Sequence, residues 1–249
     1  MAKLTFNSVD LSTYNLIITY SNIHALFQKV DHTQLEDLSY GESAKKEPRY
    51  IKFEFAVTGT GMANLRDNLD SVKKVIVTKT TRTLALDTLA GRYFNAQYIS
   101  MKGEYKSAQL FVGDMEFKCV DPLAYSTSEI SHNHTLDVED PKTITETTGG
   151  TGYIKPVYTL TAGEALNDVT IKVECIEAGE ELQWTGSLAN GEELEINVAT
   201  WLVRKEGVAS MATVTGQFPR LLPGTDNRIK VTGFGTAGAL NIKYKNTYL

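Results

Sequence analysis

What the chain lacks narrows its function first. Among 249 residues there are only two cysteines and four histidines, and no apolar run approaches the roughly 20 residues that a membrane span needs. Cys119 and Cys175 stand in apolar, strand-like surroundings without a CxxC partner or a neighbouring histidine. That spacing supports neither a metal knuckle nor a thiol nucleophile, so both read as reduced core residues. The first ten residues, MAKLTFNSVD, hold one lysine and no apolar stretch, so no secretory leader is expected and assembly in a cytoplasm is. Charge of one sign is also missing: 25 basic residues face 30 acidic ones, for a net charge of −5. Proteins that grip nucleic acid displace counterions with a basic face, and here the only dense basic stretch is Lys45, Lys46 and Arg49. Direct DNA or RNA binding is not expected.

Catalytic constellations are equally scarce. The run HNH at 132–134 sits in a polar segment without the metal cradle of a nuclease, and two histidines without a third ligand read as solvated residues. His24 and His32 are isolated, with no serine or cysteine to form a triad. Gly59-Thr-Gly61 precedes a helical pattern but completes no phosphate-binding motif, so it reads as a strand-to-helix turn. The acidic pairs Glu180-Glu181 and Glu192-Glu193 flank expected turns, where carboxylates face solvent. Trp184 and Trp201 lie among apolar residues on alternating strands and read as core, although an exposed indole would point to sugar stacking. Galectin-type sugar sites need an arginine and a glutamate that His132-Asn-His-Thr135 and Trp184-Thr-Gly-Ser187 do not supply. No catalytic residue, cofactor or metal is assigned, and the chain is not expected to be an enzyme.

What is present is patterned. Hydrophobic residues make up 42% of the chain, enough for a sizeable core. Leu4–Asn7 and Leu16–Tyr20 read as short strands, and 31–49 as an exposed polar arm. Residues 50–57, YIKFEFAV, alternate with period two. In NLRDNLDSVKKVIV the residues Leu65, Leu69, Val72 and Ile76 recur at helical spacing, with Asn64 as N-cap, Asp67 in the first turn, and Lys73 and Lys74 at the end. TLALDTL, RYFNAQYIS and YKSAQLFVGDMEFKCV follow as strands, the last with a bulge or kink expected at Gly113-Asp114. Residues 126–151 turn polar and read as a linker, which divides the chain into domains at 1–135 and 136–249. Beyond it, short strands recur at the spacing of an all-β sandwich, with Asn190-Gly191 as a type I′ hairpin signal.

Three segments in order resemble the distal tail protein (Dit) family of long-tailed phages. They are LTFNSVDLSTYNLIITYSN, then RYFNAQYIS with FVGDMEFKCVDPLAYS, then TWLVRKEGVAS…GQFPRLLPGTDNRIKVTG. The resemblance implies a mainly β protein: a tail-tube-like β-barrel or sheet with one flanking helix, then a galectin-like β-sandwich. It further implies a hexameric ring in the virion tail tip, passed by DNA. Its partners would be the tail tube protein, a tail-associated lysin or hub protein, and receptor-binding proteins. Candidate inter-subunit contacts are Lys45, Lys46 and Arg49 on the polar arm and Arg66, Asp70 and Lys73 on the helix. A carbohydrate-binding sandwich that recognises host cell-wall glycan is the alternative.

Overall fold

The computed structural model describes residues 3–21, 48–136, 140–235 and 237–249. They fall into two compact units, Met1–Tyr125 with Leu249, and Ser126–Tyr248. The division lies ahead of the expected 135/136 because the polar stretch 126–151 is not a linker. It forms two strands of the second unit, Ile130–Thr135 and Lys142–Thr147. Most of the arm expected at 31–49, with Lys45 and Lys46, lies outside the described residues, as do His24 and His32.

The first unit contains β1 (Leu4–Phe6), β2 (Val9–Asp10), β3 (Leu16–Ser21), β4 (Arg49–Thr58), helix α1 (Met62–Ile76), β5 (Arg82–Leu86), β6 (Arg92–Ser107), β7 (Leu110–Cys119) and β8 (Ala124–Ser126). The sheet runs β2-β1-β5-β6-β7-β4-β3 with every neighbour antiparallel. Strand β4 buries Ile51, Phe53, Phe55 and Val57 and turns Tyr50, Lys52 and Glu54 outward. Against the buried face α1 lays Leu65, Leu69, Val72 and Ile76, the four positions its periodicity predicts. Each such side chain contributes about 1.5–3 kcal/mol on burial.

The helix begins earlier than its sequence suggests. Gly61 occupies the cap position without a side-chain bond, and Asn64 instead accepts from the Thr60 amide at 3.1 Å from inside the first turn. Asp67 consequently falls beyond the first turn, while Lys73 and Lys74 do sit in the last. No side chain fits at Gly59, where a Cβ would stand 2.7 Å from the Leu65 amide nitrogen.

The segment expected as one long strand from Tyr105 is a hairpin, β6–β7, turning at Ala108-Gln109. A serine makes that turn: Ser107 Oγ accepts the Gln109 amide at 3.1 Å. Gly113 is paired straight across from Gly103, without the expected bulge. The strands cross too closely there for a side chain, since a Cβ on Gly113 would meet the Lys102 carbonyl at 2.1 Å.

The second unit is all strand: β9 (Ile130–Thr135), β10 (Lys142–Thr147), β11 (Val157–Ala162), β12 (Leu166–Cys175), β13 (Glu180–Leu188), β14 (Glu193–Asn197), β15 (Leu202–Lys205), β16 (Val208–Ala209), β17 (Val214–Gly216), β18 (Asp226–Thr232), β19 (Gly238–Tyr244) and β20 (Thr247–Tyr248). One sheet runs β10-β18-β12-β13-β17, the other β16-β15-β14-β11-β19-β9. Both contribute to one core that includes Tyr158, Val173, Trp184, Ile196, Val231 and Leu240. Asn190-Gly191 joins strands of different sheets, so it is not a hairpin. Only Gly191 has positive φ, 85°, and Glu192 N donates to Ala189 O at 3.0 Å. Among the described residues of this unit, the two-residue hairpin turn with both φ values positive is Glu206-Gly207, at 49° and 74°, between β15 and β16.

Candidate interaction surfaces

In the first unit the outward face of β3, β4, β7 and β6 is polar. The register places Tyr20, Glu54, Asp114 and Lys102 in one row, and Lys52, Glu116 and Ser100 in the next. A register shift between Tyr98 and Ser100 brings the β6 side chains into these rows. Together they border an open depression of about 350 Å³. Lys52 reaches Glu116 at 3.5 Å, with both side chains partly exposed. Ion pairs of this kind contribute at most about 1 kcal/mol, so the face is a solvated surface whose charge is presented outward.

The predicted contact residues separate on this framework. Arg66, Asp70 and Lys73 are exposed along α1, and Lys73 lies 3.7 Å from Asp70. Arg49 belongs instead to the interior of its unit at 9% exposure. Its guanidinium stacks 4.9 Å from the Phe94 ring centre and donates to the Pro122 carbonyl at 3.3 Å. As the first residue of β4 it is held by packing, and it is not a free arm contact.

His132 and His134 are neither in a linker nor idle. Both lie on β9, two residues apart and therefore on one face. His132 Nδ1 and His134 Nε2 stand 2.7 and 2.6 Å from the two carboxylate oxygens of Glu146, whose side chain is 1% exposed. Glu146 follows Ile144 at strand spacing on β10, so the pattern that buries Ile144 also buries Glu146. β9 and β10 are edge strands of different sheets, and the clamp ties those edges together. Glu180, read from sequence as a solvent-facing carboxylate, is likewise buried. It accepts from the Arg220 amide and Nε, each at 2.8 Å, and Arg220 stacks over Tyr153. Burial pushes the Cys119 thiol up to about 12 and raises that of Cys175. Both are fully buried, in keeping with the core reading of the sequence.

The two tryptophans part company. Trp184, 2% exposed, lies across Gly186 and donates Nε1–H to Ser210 Oγ at 2.9 Å. Trp201, expected in the core, is 58% exposed and has φ of 56°. The strand expected to run through it is broken by the turn between β14 and β15. Left-handed backbone costs a residue with a Cβ about 1–2 kcal/mol, and an exposed ring recovers little of that by burial.

No protein-family model matches the chain, and no curated protein matches it by sequence. The crystal structure of SPP1 Dit (gp 19.1), presented as a paradigm of the hub adsorption apparatus in phages that infect Gram-positive bacteria, superposes on it from end to end. The match covers 100% of both chains, with a TM-score of 0.74 at 11% sequence identity. The chain has the Dit fold. Two structures of the phage p2 baseplate in its activated conformation, with Sr and with Ca, each cover 98% of both chains at 10% and 9% identity, with TM-scores of 0.44 and 0.42. Within this Dit fold, what sequence reading missed is the partner of the histidines. Glu146 was detectable only as a charged residue in phase with Ile144.

Proposed function

We propose that the chain is a structural subunit of a phage tail tip, working through contacts with its own copies and with other tail proteins rather than through catalysis. The observation that supports this is the end-to-end match in fold to SPP1 Dit. Subunits related by a heterologous interface whose rotation closes form a ring. On this reading the ring is hexameric and is built by the first unit, joining the tail tube to the lysin or hub protein. The second, galectin-like unit projects as a spacer or a dock for receptor-binding proteins. The segment 31–49 and the α1 residues Arg66, Asp70 and Lys73 supply contacts between subunits, without Arg49.

The outward face of β3, β4, β7 and β6 is suited to a channel wall. It carries Glu54, Asp114, Glu116 and Glu104 against Lys52, Lys102, Lys106 and Lys118, so the two signs balance. A wall without excess positive charge does not hold phosphates and lets DNA slide.

Two measurements test the reading. The mass of the purified protein in solution, with negative-stain images, should give a closed six-membered ring with a central opening; a compact dimer would count against it. Antibody labelling of tailed particles should place the protein at the tail tip, and label confined to the capsid would overturn the assignment.

A further inference from the structure

We propose that Trp201 is a carbohydrate-stacking platform, a binding site of the second unit separate from ring assembly. The case begins with its backbone. Among the described residues the left-handed positions other than glycine are occupied by Asn7, Ser8, Asn15, Asp168, Glu206 and Trp201. The first five are polar residues in which a side chain bonds locally or meets water. An indole there is the costliest occupant, and Trp201 does not recover the cost by burial, since more than half of it faces solvent.

The ring is nevertheless positioned. Its edge-to-face neighbour is Phe218, itself 7% exposed, with ring centres 5.5 Å apart and planes at 63°. The turn beneath it is tied by the Thr200 amide donating to Asn197 Oδ1 at 3.1 Å. A strained backbone, a buried aromatic prop and an exposed indole together make a preorganised flat apolar surface.

The extent of this surface selects the occupant. The exposed aromatic surface is a single ring, since Phe218 against its edge is itself only 7% exposed. Val208, the most exposed hydrophobic residue of the hairpin, pairs with Lys205 at the far end of β15. Met211 turns its sulfur to the Val203 amide at 3.1 Å. One indole face matches one pyranose ring, whose axial C–H bonds pack on the π surface while its hydroxyls stay in water. The class of ligand is therefore a hexose or N-acetylhexosamine unit of a surface polysaccharide, bound weakly at each copy and strengthened by repetition.

Trp184 provides an internal control, because its indole N–H is buried on Ser210. In the full-length protein the two indole N–H resonances are followed while glucose, galactose, N-acetylglucosamine and rhamnose oligosaccharides are added at millimolar concentration. The Trp201 resonance should shift saturably with at least one of these sugars, and the Trp184 resonance should stay in place. Trp201→Gly accepts positive φ without strain, so it should fold at least as stably as the parent and lose affinity at least about tenfold. Trp201→Tyr should keep part of the binding. The proposal is overturned if no sugar moves the Trp201 resonance. It is also overturned if Trp201→Gly melts well below the parent, because the ring would then be a structural prop. Ring assembly is read separately, by mass, so loss of sugar binding leaves the tail-tip reading untouched.

Discussion

The two units bury polar groups very differently. Among the described residues the first keeps one charged side chain in its interior, Arg49, and leaves a sheet face carrying charges of both signs outside. The second encloses Glu146, Thr148, Glu180 and Asn227, each with hydrogen-bonding partners. A buried polar group with every partner in place specifies one packing and penalises the others, because each lost bond exposes an unmet donor or acceptor in low dielectric. The second unit is built to keep one shape. Over its described residues the first is one sheet backed by one helix, and it presents its charges to solvent.

Substitutions at matched depths sharpen that contrast. Trp184→Ala removes the largest buried side chain of the second unit and should cost that unit about 3–5 kcal/mol. In calorimetry its melting should move down while the first unit's transition stays in place. Asn227→Ala comes next. It strips the Leu222 amide of its partner, while the Leu222 and Thr225 carbonyls keep Thr148, and should cost about 1–3 kcal/mol. A loss below half of that in chemical denaturation would mean that water replaces the side chain. In the first unit Gly113→Ala forces β6 and β7 apart at Lys102 and should cost about 1–3 kcal/mol. Amide exchange along the hairpin reads it directly.

The cysteines report each unit separately, one in either core. Cys119 ionises near 9.0 when unfolded and about 12 when folded. A raised folded value means that this stabilisation is full below pH 9 and is lost as pH climbs toward 12. An aromatic disulfide reagent at pH 8 should therefore label neither thiol until its unit opens, and rapid labelling of the native protein would refute the burial argument. The smallest effect belongs to the helix surface. Asp70→Asn breaks the pair with Lys73 and should change stability by less than about 0.5 kcal/mol. If these side chains serve a subunit interface, the same substitution should still weaken assembly measurably.

Much of this was legible in the residues. The four-residue stripe of α1 and the period-two run of β4 were readable because burial on one face leaves a periodic trace. The Dit resemblance carried the mainly β, helix-bearing plan. Features decided by distant partners were hidden. Residues 126–151 look like a linker because β9 and β10 are edge strands, with alternate positions in water. Asn190-Gly191 has hairpin chemistry, yet β14 finds β11 and β15 instead of β13. Trp201 has a strand-like context in sequence, and only the turn after Asn197 turns it outward. Turn chemistry is local, whereas the choice of sheet is made by the whole core.

The pairing of β9 with β19 sets a timetable for synthesis. The first unit's main sheet is complete in sequence once Cys119 has emerged from the ribosome. Strand β9, beginning at Ile130, must wait for Ala239–Tyr244 before its backbone has a partner. During that interval β9 is an unpaired ribbon on a nascent chain. Its run of serine, histidine, asparagine and threonine, poor in aliphatic residues, is a composition that resists premature pairing between chains.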